Sequence, residues 1–286
     1  MTPTLRQWHV AGSHFDYKNN RIFYRDEGTG FPLLVIHGYP TSSWDFAPIW
    51  PQLTANRRCI AADMIGFGFS DKPPAYPYSL VDQAELLSSL LAQLDITEVD
   101  VLAHDYGDSV AQEMLARHLD NSGIKLRSVV FLNGGLFPEQ HRPRLVQKLL
   151  ASPLGKFSGK IINYRLFAKG FSEVFASNSK PTESELRDFW HLTTYNNGQA
   201  IQHKLIGYMA ERKRQEDRWV GALLNSDIPM RLIDGADDPV SGRHLAEHYQ
   251  ATVPNADVVL LENVGHYPQV ESADTVWEAI DSFWQQ

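Results

Sequence analysis

The chain has 286 residues, 43% of them hydrophobic, enough for one large domain or a core domain carrying an insertion. Its formal net charge of -8 disfavours nucleic acid and an anionic membrane surface as partners. Its one cysteine, Cys59, excludes an intrachain disulfide, and the apolar neighbours Ile60, Ala61 and Ala62 predict a buried strand residue rather than a reactive thiol.

Met1-Thr2-Pro3-Thr4-Leu5-Arg6 shows no apolar signal-peptide core. No run reaches the roughly 18 apolar residues of a membrane span, so a cytoplasmic protein is expected. Arg21–Asp26 alternates as a strand, and Leu33–Ile36 and Cys59–Ala62 are fully apolar runs suited to a sheet covered on both faces. Leu80–Leu94 has helical apolar spacing. Val99–Leu102, Ser128–Leu132, Pro229–Ile233 and Asp257–Leu261 complete the predicted strands, and Thr275–Trp284 closes the chain as an amphipathic helix. This alternation predicts a mostly parallel, doubly wound α/β sheet. From 138 to 219 the pattern stops. The segment is basic and aromatic, with helical stretches at Glu183–His191 and Gln199–Arg212. It is expected to form an inserted helical cap, leaving 1–137 and 220–286 as the core. A cap above the carboxyl ends of the strands would shape a ligand pocket.

The sharpest signal is Ala103-His104-Asp105-Tyr106-Gly107, between the strand Val99–Leu102 and a helical run from Ser109. It has the form of a nucleophile elbow with a carboxylate at its apex. A carboxylate nucleophile attacks sp3 carbon and forms an alkyl ester on the enzyme. Gly107-Asp108-Ser109-Val110-Ala111 imitates a serine elbow, but Ser109 falls about a turn into the helix, so Asp105 is preferred over it as the nucleophile.

An ester on Asp105 must be cleaved by water, which requires a base and a group to orient it. His266, in Gly265-His266-Tyr267-Pro268 after the last strand, is the expected base. Gly235-Ala236-Asp237-Asp238 follows the strand before it; Asp238 is preferred as the orienting acid, with Asp237 the alternative. The order nucleophile, acid, histidine is that of α/β-hydrolases. The backbone N–H groups of Tyr39, in His37-Gly38-Tyr39-Pro40, and of Tyr106 are expected to form the oxyanion hole. His37, His104 and Asp63 are read as structural residues of their turns and loops.

These motifs, together with Gly66-Phe67-Gly68-Phe69-Ser70-Asp71 and Asn133-Gly134-Gly135-Leu136-Phe137-Pro138, resemble the aspartate-nucleophile branch of the α/β-hydrolase fold. That branch includes epoxide hydrolases and haloalkane dehalogenases. Within it, the chain is most similar to the mesoderm-specific transcript group. The resemblance implies Tyr208 as a cap tyrosine that protonates an epoxide oxygen, with Tyr164 or Tyr195 as a second tyrosine at the substrate. Related dehalogenases carry Trp after the nucleophile and often Asn in the His-Gly loop; here those positions hold Tyr106 and Tyr39. The absence of a carboxylate in Asn133-Gly134-Gly135, where some dehalogenases place the acid, also favours Asp238.

The expected reaction is epoxide hydrolysis to a diol, on a small apolar electrophile with water as co-substrate and no metal or organic cofactor. The alternatives are a haloalkane or haloacid dehalogenase with donors such as Trp44 or a cap Trp, hydrolysis of a lactone, and a non-catalytic ligand-binding protein on a hydrolase scaffold.

Overall fold

A computed structural model describes residues 1–157 and 162–285. Eight strands form one sheet in the order β1-β2-β4-β3-β5-β6-β7-β8. They are β1 Ser13–Tyr17, β2 Asn20–Glu27, β3 Pro32–Ile36, β4 Arg58–Ala62, β5 Glu98–His104, β6 Lys125–Leu132, β7 Met230–Gly235 and β8 Asp257–Leu261. β3 to β8 run parallel, while β2 pairs antiparallel with both β1 and β4. The sheet is therefore mostly parallel, as the alternating pattern predicts.

The apolar strand runs bury alternate side chains on opposite faces. Leu33 and Val35 of β3 join one core cluster, Leu34 and Ile36 the other. Each fully buried aliphatic side chain of this kind contributes roughly 1.5–3 kcal/mol. The first face is covered by α1 Pro3–Val10, α2 Trp50–Asn56 and the helix Ala273–Trp284. The second is covered by α3 Leu80–Gln93, α4 Tyr106–Leu119 and the helix Arg243–Thr252. The Ser79 hydroxyl caps α3 by accepting from the Asp82 N–H at 3.1 Å, and the helix turns Leu80, Ala84, Leu87 and Leu91 inward.

Between β6 and β7 the described residues contain helices and turns and no strand. Glu183–Thr194 is one well-capped helix, its Thr182 and Glu185 forming a capping box. The expected helical stretch Gln199–Arg212 is broken. Asn196 and Asn197 take positive φ, and short helices follow at Gln202–Leu205 and Tyr208–Arg214. The helix Glu216–Asn225 spans the expected boundary at 219/220 and packs along α4. No described helix is long and apolar enough to cross a membrane.

Candidate active site

β5 ends at His104 and α4 begins at Tyr106, leaving Asp105 alone in the turn with φ 48° and ψ -103°. A non-glycine residue there costs of order 1–3 kcal/mol, so its surroundings must hold it. Three contacts do so. The Asp105 N–H donates to the Leu132 carbonyl at 3.1 Å, extending the β5–β6 ladder. Arg212 Nη2 donates to the Asp105 carbonyl oxygen at 2.9 Å. The Tyr39 N–H donates to Asp105 Oδ2 at 3.0 Å. Gly107 lets α4 start this close to β3, because a Cβ there would lie 2.5 Å from the Ile36 carbonyl oxygen.

Asp105 and His266 line the same cavity, of about 680 Å³. His266 Nδ1 lies 2.7 Å from Asp238 Oδ2. Asp238 is buried, whereas Asp237 is exposed. The Asp238 carboxylate also accepts from the Val240 N–H at 2.7 Å, the Ser241 N–H at 3.1 Å, the Ser241 hydroxyl at 2.9 Å and Asn133 Nδ2 at 3.1 Å. His104 Nε2 donates to the His266 carbonyl at 2.7 Å and fixes the histidine loop from below.

The charges act strongly on one another. Burial acts against ionised Asp105, but the neighbouring His266, Arg212, His104 and the Tyr39 N–H outweigh it and hold the carboxyl below its ordinary range. Burial likewise opposes ionised Asp238, and His266 again overrides it. For His266, burial lowers the pKa, yet the Asp238 charge and hydrogen bond, joined by Asp105, push it up to about 9. At neutral pH the resting site therefore holds two carboxylates around an imidazolium. Asp108 is also buried; burial and the Asp105 charge raise its pKa well above the ordinary value.

Tyr208 is fully buried. Its ring packs on those of Tyr39 and Tyr106, with centroids 5.7 and 5.4 Å apart, and its hydroxyl accepts from the cavity-lining Gln147 at 3.1 Å. Burial and the Asp105 charge push the phenol pKa up, so it is protonated at neutral pH. Tyr106 begins α4, and its ring also packs against Phe67.

None of the four aromatic side chains expected at the substrate is among the cavity-lining residues; Tyr208 is fully buried beside Gln147, and the other three lie elsewhere. Trp44 packs on Phe189 and lines a separate groove beside α1. Tyr164 sits under the Arg187 guanidinium, 4.8 Å from its ring, and Tyr195 packs on Phe69 and His191. In each case an aromatic neighbour or cation outside the cavity lining packs against the ring. His37 Nδ1 donates to the Gly38 carbonyl and its Nε2 accepts from the Met64 N–H, a structural role. Asp63 accepts from the N–H groups of Ser43 and Phe69, holding two loops together.

Arg212 is a part of the site that the sequence reading does not single out. It stands in Glu211-Arg212-Lys213-Arg214, a run that reads as solvated charge, yet only 2% of it is exposed. Its Nε donates to the Ser109 hydroxyl at 2.6 Å, which ties the decoy serine to the elbow's support. The available signal is Gly135: a Cβ there would meet the Arg212 guanidinium at 2.3 Å. His141 is a second such residue. Both of its ring nitrogens are buried and unpartnered, and burial and Arg212 push its pKa down to about 4.

The family described as alpha/beta hydrolase fold matches residues 32–273. Mesoderm-specific transcript protein of Mus musculus is 41% identical over 284 residues, spanning 95% of this chain and 85% of that protein. Putative hydrolase LipZ of Mycobacterium tuberculosis is 38% identical over 280 residues, spanning 97% of each. Among solved structures, the unliganded epoxide hydrolase CorEH superposes with a TM-score of 0.81 at 19% identity, covering 96% of this chain and 98% of that one. Haloalkane dehalogenase DatA from Agrobacterium tumefaciens gives 0.79 at 22% identity, covering 96% of both chains. At such identities the two superpositions speak for the fold alone.

Proposed function

The chain belongs to the alpha/beta hydrolase fold family, and from that premise we propose that it hydrolyses small apolar epoxides through an alkyl ester on Asp105. The observation that carries this reading is the meeting of an ionised, strained Asp105 and the His266–Asp238 pair in one largely apolar cavity. The helical segment 138–219 acts as the cap that closes it.

In the first step an Asp105 carboxylate oxygen attacks an epoxide carbon, the ring C–O bond breaks, and the Tyr208 phenol gives its proton to the departing oxygen. Before the second step the resting imidazolium gives its proton to solvent, to be regained when the cycle ends, and neutral His266 then removes a proton from water. The hydroxide attacks Asp105 Cγ, and the resulting oxyanion accepts from the Tyr39 and Tyr106 N–H groups. Collapse breaks the bond between Cγ and the alkyl oxygen, which takes the proton from His266. The last proton passes from the Asp105 carboxyl to the Tyr208 phenolate, so epoxide plus water gives diol. Proton donation of this kind is worth roughly 10²–10⁴ in rate.

One observation favours a second reading, haloalkane dehalogenation: Trp190 lines the cavity and carries an indole N–H that a halide would accept. Mass spectrometry of His266→Gln incubated with styrene oxide or 1-bromobutane separates the two. An Asp105 adduct from styrene oxide is expected. An adduct from the bromide alone transfers the assignment to dehalogenation, and no adduct from either rejects Asp105 as nucleophile.

A further inference from the structure

The net charge of the chain hides a local reversal. From residue 140 to 172 the sequence holds seven Lys and Arg and no Asp or Glu. The same stretch holds most of the apolar side chains left in solvent. Of the eight large hydrophobic residues exposed among the described residues, five fall between 145 and 166. Leu145 is 84% exposed, Leu154 61% and Leu166 53%. The turn Gly155–Phe157 packs on the helix Leu145–Ala151 near Leu150, so Leu154 and Phe157 adjoin the helix that carries Leu145 and Val146.

This surface surrounds the cavity entrance. Leu145, Val146 and Leu166 line the cavity while remaining exposed, as do Arg142, Lys148 and Lys169. We propose that this face docks on an anionic phospholipid bilayer, with the cavity mouth turned toward the acyl chains. The charge complementarity is direct, since phosphate headgroups pair with the cations. Hydrocarbon lies about 5–10 Å below that layer, within reach of leucine and phenylalanine tips flanked by lysines. A second copy of the chain is a poorer occupant, because a two-fold interface would set this cationic face against itself. Docking in this pose lets an apolar substrate pass from the membrane to Asp105 without crossing water.

The test is flotation of the full chain with phosphatidylcholine vesicles and with mixed phosphatidylcholine–phosphatidylglycerol vesicles, at low and high salt. The expected result is co-flotation with the anionic vesicles, weakened by salt and absent with the neutral ones. Two variants are informative because their residues are exposed and stand outside the cavity lining. Lys156→Gln is expected to lower partitioning about fivefold, the effect of one cation at an anionic surface. Leu154→Ser with Phe157→Ser is expected to lower it roughly tenfold or more. Thermal melting should be unchanged in both, which separates docking from folding. Equal flotation with both vesicle types, or none with either, overturns the proposal. So does a wild-type dimer in light scattering that Leu154→Ser dissolves, which would make a second copy the occupant.

Discussion

Asp238→Asn isolates the electrostatic hold on His266. The substitution keeps the shape of the side chain, and an amide oxygen in the Oδ2 position can still accept from the Ser241 N–H and hydroxyl and from Asn133, while the Val240 N–H, which pairs with Oδ1, loses its acceptor. It removes the negative charge whose attraction and hydrogen bond override the burial that would otherwise lower the imidazole pKa. His266 sits at about 9 against an ordinary 6.5. With Asp105 and Glu271 left as the weaker supports, the variant imidazole should fall by roughly two pH units, about 3 kcal/mol of lost preference for the imidazolium. Proton NMR of the imidazole ring would follow this directly. Stability gives an independent reading. A raised folded pKa contributes stability that is full below 6.5 and is lost as pH rises from 6.5 to about 9. Wild type should therefore lose on the order of 3 kcal/mol from this group across that window in denaturant unfolding, and Asp238→Asn should lose far less. A variant that still titrates near 9, or keeps the wild-type pH slope, would refute the reasoning.

Four further outcomes follow from the same geometry. Tyr208→Phe should lower epoxide turnover roughly 10²–10⁴-fold in a diol-formation assay while leaving halide release unaffected. Arg212→Met should destabilise the fold by about 3–5 kcal/mol in urea melts, since it strips a buried cation from the Asp105 carbonyl and leaves the carboxylate less compensated. Gly107→Ala should cost at least about 2 kcal/mol, read as a lowered Tm, because its methyl group meets the Ile36 carbonyl oxygen at 2.5 Å. In single-turnover experiments at rising pH, ester hydrolysis should accelerate as His266 loses its proton, while alkylation of Asp105 stays nearly flat through neutral pH.

The apolar strand runs and the elbow are legible in the sequence because each is local. A run such as Leu33–Ile36 has no other place to go than a covered sheet, and an aspartate set between a strand and a helix announces its turn. β1 is not legible: Ser13–Tyr17 offers only Phe15 and Tyr17 to the core, at a sheet edge. The aromatic residues expected at the substrate resist reading for another reason. Trp44, Tyr164 and Tyr195 look alike by composition, and only tertiary contacts such as those with Phe189, Arg187 and Phe69 leave them outside the cavity lining. Arg212 is obscured by its basic neighbours. Its burial depends on the room left by Gly135, 77 positions away in the chain. Asn133 reads in the sequence only as a missing carboxylate. Its positive contribution, an amide that bridges Asp238 and the end of β7, is a long-range one.

The mutual influence of the charges around Asp105 gives the two proposed steps their order. While Asp105 is ionised it helps keep His266 protonated, and an imidazolium cannot activate water. The same imidazolium helps keep Asp105 ionised and ready to attack. Alkylation turns the carboxylate into a neutral ester and so removes one of the charges that raise the His266 pKa. The imidazole is then easier to deprotonate at the moment when a base is first needed. Asp238, held by Asn133, Ser241 and the Val240 N–H, keeps its charge throughout and fixes the ring orientation in both states. Premature base action is thereby disfavoured in the resting site, and the nucleophile's own charge serves as the signal that the first step has occurred.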